Sequence, residues 1–557
     1  MVWALRSVWI VSTGLLVACT APEPATNAGA QSASQNEPLT AFVNGTVHTG
    51  TLEAPMAAAV LVNEAGIITA VLQDGDDAET AATTVVDLGG AHLYPGFTDA
   101  HVHLRGIGQR ELTLNLADVA SIADLVARIE AEVSGLPAGA VVFGRGWIET
   151  GWPEGRMPSA ADLDTVAPDN PVILIRADGH ALVANTAAMD AGEITTETPD
   201  PDGGAIERGP GGAATGILID NAMPIVTGQV ARADESDVIQ ALAVGAEVYV
   251  QRGWTGVHNM SVAALDARLI ERLDLEGRMP LRVYNALEAD AFDIAANRAH
   301  ETDTVTNRAV KLYMDGALGS RGALLSEPYA DRPDTVGLSL MNPEALDQMF
   351  DRASASEVQL AIHAIGDLAN ARVIDAAETS GDPDARHRIE HTQILRTADI
   401  ARMAPVGLIA SMQPSHAIGD LKFAPDRLGM ERLRGAYAWQ SLIDAGTIVA
   451  GGSDAPVEVG SPLIEFYGAA VRKDLEGRSG EGWHPEEAVS RETALKMLTY
   501  WPAYAAFQED VLGTVEVGKI ADFTVFDRDL LTIPDAEILE AKAVMTVVDG
   551  DVVWSAE

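Results

Sequence analysis

Strand-like apolar runs recur along this chain, and several end in a side chain that can bind a metal ion. The runs are YPGFTDAHVHL, AVKLYMDG, LAIHAIGD, RIEHTQ and IVAGGSDAP. The carboxyl ends of the strands of a β/α barrel meet at one face, so residues distant in sequence converge there. The pattern therefore predicts a barrel with a metal centre at its open end. The candidate ligands are His101, His103, Lys311, His363, His391 and Asp454.

The middle of the chain alternates these runs with helical stretches, as a parallel barrel does. The predicted barrel strands are residues 93–100, 255–259, 281–287, 310–315, 359–363, 388–391, 408–413 and 448–454. Strands 1 and 2 are separated by far more residues than a single connection requires. We therefore expect an inserted lid subdomain at about residues 105–235, over the mouth of the barrel.

Both ends of the chain contain short alternating runs separated by turn residues, which is typical of small β-sheets. We expect residues 38–92 and 510–557 to form one composite β-sandwich and residues 93–509 to form the barrel. The predicted fold class is α/β: a (β/α)8 TIM barrel with a large insertion after strand 1, plus a small β-sandwich built from both chain ends.

The composition is strongly acidic. Across 557 residues, 81 Asp and Glu stand against 37 Lys and Arg, a formal net charge of −44. A surface of this sign repels nucleic acid and anionic membranes, so we expect a small-molecule substrate and no nucleic-acid partner. Lysine is scarce, and none precedes Lys311. The sequence leaves the oligomeric state open, with a homodimer as one expectation.

The N-terminus resembles a bacterial lipoprotein signal. Arg6 precedes the apolar run VWIVSTGLLV, and LVAC ends at Cys19, the chain's single cysteine. We expect residues 1–19 to be the signal, Cys19 to be lipidated and residues 20–37 to be a flexible linker. The protein would then face the periplasm from the cell envelope, at the outer membrane, held only by this lipid anchor. A cleaved secretory signal and an uncleaved anchor are the alternatives.

The histidines suit a borderline divalent cation such as Zn²⁺. Alternate residues of a strand point to the same side, so His101 and His103 project together as a chelating pair. His363 and His391 each follow an apolar run at a predicted strand end. For either one alone, a core histidine bonded to a backbone carbonyl is the favoured interpretation. Their arrival at several strand ends together favours a hydrolytic zinc site.

Asp454 and Lys311 add charge to this centre. Asp454 in GGSDAP is interpreted as a metal ligand and proton shuttle, with an N-cap of the next helix as the alternative. A buried ammonium between two dications would be repelled. Reaction of the Lys311 amine with CO₂ gives a carbamate with two oxygens for two metals. Alternatively, Lys311 pairs with a nearby acid such as Asp315, or Asp315 itself supplies the bridging carboxylate.

Four further residues are candidate substrate contacts. His180 lies in the insertion, His258 near the end of strand 2, His416 in QPSHA after strand 7 and Arg321 in GSRGA. The three histidines lie where loops converge above a barrel site. Loop-bracing hydrogen bonds are the alternative for the histidines, and a surface ion pair is the alternative for Arg321.

The ordered motifs resemble the amidohydrolase superfamily, specifically the amidohydrolase-3 branch that includes N-substituted formamide deformylase-like metal-dependent hydrolases. They include PGFTDAHVHL, GRGWIETGWPEGRMPSAADLD, RADGHALVANTAAM, KLYMDGALGSRGA, AIHAIGD, RIEHTQ, SMQPSHA, GGSDAPV and GTVEVGKIADFTVFDRD. The resemblance covers nearly everything after residue 38. It implies His101, His103 and Asp454 on one metal, His363 and His391 on the other, and carboxylated Lys311 as the bridge.

The expected activity is hydrolysis of a non-peptide C–N bond in an amide, formamide, urea-like or cyclic imide substrate. A metal-bridging hydroxide would attack the carbonyl, with two Zn²⁺ as the expected cofactors and Asp454 as the proton shuttle. An ester or lactone hydrolase with the same centre is one alternative. A periplasmic binding lipoprotein without catalysis is another.

Overall fold

The computed structural model describes residues 38–556 except 77, 231–233, 476–478 and 481–482. The expected signal, linker and lipidated Cys19 lie outside these residues. Among the helices of the described part, none combines the length and apolar character that a membrane crossing requires.

The described strands fall into four sheets. In chain order they are β1 (Leu39–Val43), β2 (Thr46–His48), β3 (Met56–Ala57), β4 (Ala59–Asn63), β5 (Ile68–Leu72), β6 (Thr84–Asp87), β7 (His92–Pro95), β8 (Phe97–Val102), β9 (Leu114–Asn115), β10 (Val142–Trp147), β11 (Val172–Arg176), β12 (Ala181–Ala184), β13 (Gly204–Arg208), β14 (Ala214–Asp220), β15 (Trp254–Val262), β16 (Arg282–Leu287), β17 (Val305–Tyr313), β18 (Gln359–Ala364), β19 (Arg388–His391), β20 (Ile409–Met412), β21 (Val449–Gly451), β22 (Phe523–Phe526), β23 (Ala543–Val548) and β24 (Asp551–Ser555).

Helices connect the strands. In chain order they are α1 (Ala78–Ala81), α2 (Leu104–Leu112), α3 (Ile122–Val133), α4 (Ala160–Leu163), α5 (Thr186–Ala191), α6 (Pro224–Val230), α7 (Glu235–Arg252), α8 (Ala264–Leu275), α9 (Phe292–Asn297), α10 (Pro343–Ser356), α11 (Asp367–Ser380), α12 (Thr397–Met403), α13 (Pro414–Asp420), α14 (Ala424–Leu428), α15 (Trp439–Asp444), α16 (Pro462–Val471), α17 (Arg491–Leu498), α18 (Tyr500–Ala505) and α19 (Asp535–Ile538). Short 3₁₀ turns lie at Ala289–Ala291, Pro383–Ala385, Ala404–Val406, Arg432–Gly435 and Pro485–Glu487.

The largest sheet is a barrel of parallel strands in the order β8, β15, β16, β17, β18, β19, β20, β21. Its ends meet through a parallel bridge between Val102 and Ala455. The amide of Asp454 also donates to the carbonyl of His101 at 2.7 Å. A continuous apolar core joins the barrel to its helices. The arrangement confirms the predicted α/β fold with a TIM barrel.

Both chain ends build the two remaining sheets outside the insertion. One has the order β5-β4-β1-β6, and the other has the order β24-β23-β22-β7-β2-β3. Phe42 of the first sheet and Phe523 of the second make an edge-to-face contact with ring centroids 5.4 Å apart, inside a shared apolar cluster. The fold therefore includes the expected sandwich from both ends.

The first predicted barrel strand is wrong at its start. Residues 93–95 belong to β7, which pairs antiparallel with β22 in the sandwich, so the barrel strand begins only at Phe97. Gly96 lies between the two strands. A side chain does not fit there, because a Cβ would lie 2.3 Å from Thr255 Oγ1. The fourth strand also differs: β17 begins at Val305, before the expected residue 310.

The insertion between β8 and β15 has a sheet of its own, in the order β13-β14-β12-β11-β10-β9. Two apolar clusters pack against it, one around Trp147 and Leu125 and the other around Leu182 and Met189. The insertion is therefore a folded layer. Its loop after β11 lines the same cavity as the end of the barrel.

Candidate metal centre

The candidate ligands converge at the carboxyl ends of the barrel strands, around Asp454. Its Oδ1 lies 3.5 Å from His101 Nε2 and 3.3 Å from His103 Nε2. Its Oδ2 lies 4.0 Å from His391 Nδ1. The imidazole centroid of His391 is 4.8 Å from that of His101 and 4.5 Å from that of His363. The tertiary structure thus brings together residues from four barrel strands or the loops that follow them.

Close helix packing holds the paired histidines in place. His101 belongs to β8, and His103 directly precedes α2. α2 crosses α7 at close range, and glycine at position 108 permits this, because a Cβ there would lie only 1.7 Å from the carbonyl oxygen of Ala241. Nδ1 of His103 lies 3.3 Å from the carbonyl oxygen of Met260. This contact turns Nε2 of His103 toward Asp454.

Two polar side chains orient the imidazoles of His101 and His391. Nδ1 of His101 donates to Glu390 at 2.6 Å, and both side chains are fully buried. Nδ1 of His391 donates to Gln413 at 2.8 Å. Each bond fixes a tautomer and leaves Nε2 free to bind a metal, as outer-shell partners of metal-binding histidines do. Neither Glu390 nor Gln413 was predicted from the sequence, because their roles depend on contacts between distant chain segments.

Lys311 extends from β17 into the same cluster. Its Nζ lies 3.4 Å from His101 Nε2, and the side chain is buried. Burial lowers the pKa of Lys311 to about 8, although Glu390 and Asp454 oppose the shift. No ion pair joins Lys311 to Asp315 in the described chain. A substantial fraction of the amine is therefore neutral near physiological pH.

Asp315 braces the loops beside the centre. Its carboxylate accepts hydrogen bonds from the amides of Leu324 at 2.8 Å, Ile365 at 3.0 Å and Gly366 at 2.8 Å. Its Oδ1 also lies 3.5 Å from His363 Nε2. Both oxygens are engaged, so this arrangement does not favour Asp315 as the bridging carboxylate.

The charge states suit cation binding. Burial lowers the pKa of His101 to about 4 and holds the pKa values of His363 and His391 well below the usual value. Burial opposes ionisation of Asp454, but the imidazoles of His101, His103 and His391 outweigh it and hold the pKa of Asp454 well below its ordinary range. Neutral imidazoles and an ionised carboxylate are the forms that bind divalent metals.

The cluster fits a divalent cation on two further observations. His363 Nε2 and Asp454 Oδ1 are buried without a hydrogen-bond partner. Two residues also carry positive backbone φ angles, 75° at His391 and 60° at Asp454. Such conformations are uncommon outside glycine and concentrate at functional sites. Asp454 is not an N-cap, because the next helix, α16, begins at Pro462 with Ser461 as its N-cap.

Two of the four expected substrate contacts line the cavity of about 550 Å³ above this cluster, namely His180 and His416. Nδ1 of His180 donates to Asp220 at 2.7 Å, so its Nε2 remains available. Nε2 of His416 lies 3.7 Å from Asp454 Oδ2 and has no hydrogen-bond partner. Asp220 is a further residue that the sequence analysis missed.

The other two expected contacts do not line that cavity. His258 lies inside the barrel, where Arg388 donates to its Nδ1 at 2.7 Å. Arg388 also bonds the carbonyl of Ala100 and the hydroxyl of Ser411, which places the group in the polar interior below the ligands. Arg321 forms an ion pair with Asp331 at 2.8 Å. The structure therefore places both side chains outside the cavity, His258 in the barrel interior and Arg321 in a half-buried ion pair.

A separate group of possible ligands lies in the sandwich: His48, His92 and Asp529. His48 Nε2 lies 3.3 Å from His92 Nδ1 and 3.5 Å from Asp529 Oδ1. That oxygen already accepts hydrogen bonds from the amide of Leu531 at 3.0 Å and the hydroxyl of Tyr94 at 3.3 Å. The hydrogen bonds of Asp529 therefore stabilise the turn that follows β22.

Comparison with known proteins places the chain among hydrolases. The amidohydrolase family model matches residues 84–554. YtcJ of Bacillus subtilis (strain 168), named as an amidohydrolase, is 32% identical over 483 residues, covering 85% of this chain and 90% of the relative. N-substituted formamide deformylase of Arthrobacter pascens is 31% identical over 533 residues, covering 91% of this chain and 97% of the relative.

A solved structure agrees with the sequence relatives. An uncharacterized metal-dependent hydrolase from Pyrococcus horikoshii OT3 superposes with a TM-score of 0.73 at 26% identity, covering 89% of this chain and 99% of that one. The fold, the His and Asp cluster and the family match agree with one another. The protein is a hydrolase, and the chain belongs to the amidohydrolase family.

Proposed function

We propose that the protein hydrolyses a non-peptide C–N bond in an amide, formamide, urea-like or cyclic imide substrate. The observation that carries the proposal is the convergence of neutral imidazoles on the ionised carboxylate of Asp454 in a cavity. The relative named N-substituted formamide deformylase, which matches 91% of this chain, supports C–N chemistry.

We propose two divalent cations, with Zn²⁺ as the first candidate. His101, His103 and Asp454 would hold one, and His363 and His391 would hold the other. When bound, the cations would polarise the substrate carbonyl and lower the pKa of a water molecule.

Carboxylation of Lys311 belongs to the same proposal. The neutral amine adds to CO₂, a C–N bond forms, and one amine proton leaves. The side chain then changes from a potential cation to an anion with two oxygens. Removing a positive charge beside His101 favours cation binding, because like charges repel strongly where water is excluded.

Asp454 would move the proton. As water adds to the substrate carbonyl, Asp454 Oδ1 accepts the proton of the water, because this oxygen is buried without a hydrogen-bond partner. The C–N bond then breaks, and the same oxygen returns the proton to the leaving nitrogen. His416 Nε2, 3.7 Å from the other carboxylate oxygen, and the free Nε2 of His180 would bind substrate oxygen atoms.

The test combines metal analysis with a substrate panel. Purified protein is stripped with chelator, reloaded with Zn²⁺ and assayed on N-formyl amines, N-acyl amines, ureas, hydantoins and matched esters and lactones. We expect turnover of a C–N substrate by the reloaded protein only. His363→Gln should lose activity, and His300→Gln, whose imidazole pairs with Glu271, should retain it. Turnover of esters or lactones alone, or binding without turnover, contradicts the proposal.

A further inference from the structure

Arg145 presents a guanidinium to the wall of the active-site cavity. It lies on β10 of the insertion and lines the cavity together with Lys311, His363 and Asp454. The insertion therefore places a permanent positive charge in the space where a substrate must lie.

Arg145 is poorly satisfied within the protein. Among residues 38–556 as the structure describes them, its one hydrogen bond runs from Nη2 to the carbonyl of Ala177 at 3.4 Å, and its Nε is buried without a partner. None of the ion pairs in the described chain includes Arg145. The other two arginines of this cavity wall differ: Arg176 is paired with Glu149 at 2.8 Å, and Arg105 is paired with Asp266 at 3.4 Å.

Arg145 is only partly buried, but its buried Nε gives up hydration without gaining a hydrogen-bond partner among the described residues, which is costly. The carboxylates of Asp454 and Asp178 favour the charged form of Arg145 from a distance, and burial lowers its pKa only to about 10. Neither carboxylate makes an ion pair with Arg145 in the described chain: Asp454 Oδ1 lies 3.3 Å from His103 Nε2, and Asp178 pairs with Arg176. The guanidinium of Arg145 is therefore available to a negatively charged group of a ligand in the cavity.

We infer that Arg145 binds a carboxylate of the substrate, so that the enzyme prefers amides carrying a carboxylate over uncharged amides of the same shape. The inference rests on the proposed C–N hydrolysis at the neighbouring metal centre. The planar guanidinium matches a carboxylate with two parallel hydrogen bonds, which a neutral amide cannot supply.

An adjoining cavity indicates what the rest of the substrate resembles. His180, Lys311 and Tyr313 line both this cavity and the active-site cavity, so the two are contiguous. Phe143 lies two residues before Arg145 on β10, so both side chains point to the same side of the insertion sheet. Apolar side chains line much of this second space: Phe143, Ile175, Met223, Pro224, Leu340 and Met341. A substrate with a carboxylate and an apolar group fits the combined surface.

N-acetyl-leucine and N-acetyl-leucinamide are the matched probes, because they differ in charge and hardly in size. Acetate release is measured for both, as both enantiomers, with Zn²⁺-loaded wild-type protein, Arg145→Met and Arg156→Met. Arg156 is the control, since it belongs to the same insertion and makes an exposed ion pair with Asp162. Binding of 4-methylpentanoate and 4-methylpentanamide is measured by calorimetry on the same three proteins.

We expect wild-type protein to favour the acid of each pair. Arg145→Met should lose about 10- to 100-fold on the acid, in kcat/KM or in affinity, and little on the amide. Arg156→Met should behave like wild type.

Three outcomes overturn the inference: equal or no binding of the two calorimetric probes by wild type, equal losses on acid and amide in Arg145→Met, or a preference for the acid that survives in Arg145→Met. The last result would mean that the metal alone holds the carboxylate. Arg145-dependent binding of the acid without acetate release would support the inference and would show that the N-acetyl group is not the acyl group cleaved; failure of C–N hydrolysis itself is measured by the substrate panel.

Discussion

Glu390 accepts a hydrogen bond from His101 Nδ1 at 2.6 Å, and both side chains are fully buried. Glu390 lies on β19 and His101 on β8, two barrel strands that are not neighbours in the sheet. Their contact fixes which nitrogen of His101 faces Asp454.

Glu390→Gln should therefore weaken metal affinity about 10- to 100-fold while the fold survives. A competition titration with a metal-binding dye measures the effect. Glu378→Gln, at a surface ion pair with Arg402, is the control, and unchanged affinity in Glu390→Gln would refute the orienting role.

Asp454→Asn removes the proposed proton acceptor and keeps the shape of the side chain. We expect kcat to fall about 100- to 10,000-fold, the range in which general acid–base groups contribute. Metal content is measured on the same sample, because Asp454 is also a candidate ligand. A variant that keeps its metal and its full activity would exclude proton transfer by Asp454.

Lys311→Arg prevents carbamate formation and places a permanent positive charge where the proposal has an anion. We expect the protein to bind fewer cations per chain, because the proposed carbamate cannot form and a cation takes its place. Elemental analysis measures the stoichiometry, and native mass spectrometry of the wild-type protein detects the added CO₂. Lys542→Arg, at an exposed position, is the control. Equal metal content in all three proteins would argue against the carbamate bridge.

His387 makes stability depend on pH. Its Nδ1 accepts the amide of Leu360 at 3.0 Å, and burial lowers its pKa from 6.5 to about 4. The unfolded chain therefore takes up a proton at a pH where the folded state does not. Stability is fully present above pH 6.5 and is lost as the pH falls toward about 4. Between about pH 7.5 and pH 5, wild type should lose about 2 kcal/mol more than His387→Gln in the free energy of unfolding. Denaturant titrations of both proteins measure this difference. The same pH dependence of the free energy of unfolding in wild type and His387→Gln would contradict the assignment to His387.

Arg282 joins the barrel to the sandwich. It lies on β16 and pairs with Asp522 at 2.9 Å and with Asp549 at 2.6 Å. Arg282→Met should cost about 3–5 kcal/mol of stability, because it leaves the buried carboxylate of Asp522 without a counter-charge, with the amide of Asp549 still donating to it. Thermal unfolding measures the loss. The double variant with Asp522→Asn should recover part of it, and a double variant that is less stable than Arg282→Met alone would refute the explanation.

The barrel and its ligand-bearing strand ends were accessible from sequence because their signals are local. A buried parallel strand is a short apolar run, and a ligand at its end follows that run directly, as His363 follows Leu360–Ile362 within β18. Strand boundaries were less accessible. β7 and β8 form one apolar stretch in the sequence and are divided at Gly96 only by pairing with different sheets.

The sequence by itself determined the barrel, the insertion, the two-ended sandwich and the set of residues able to bind cations. Tertiary structure decided which of these side chains have partners. Glu390 meets His101 across 289 residues, Asp220 meets His180 across 40, and Arg145 is left without a carboxylate. Periodicity reports the face on which a residue lies, but the hydrogen bonds of that residue depend on chain segments that only folding brings near.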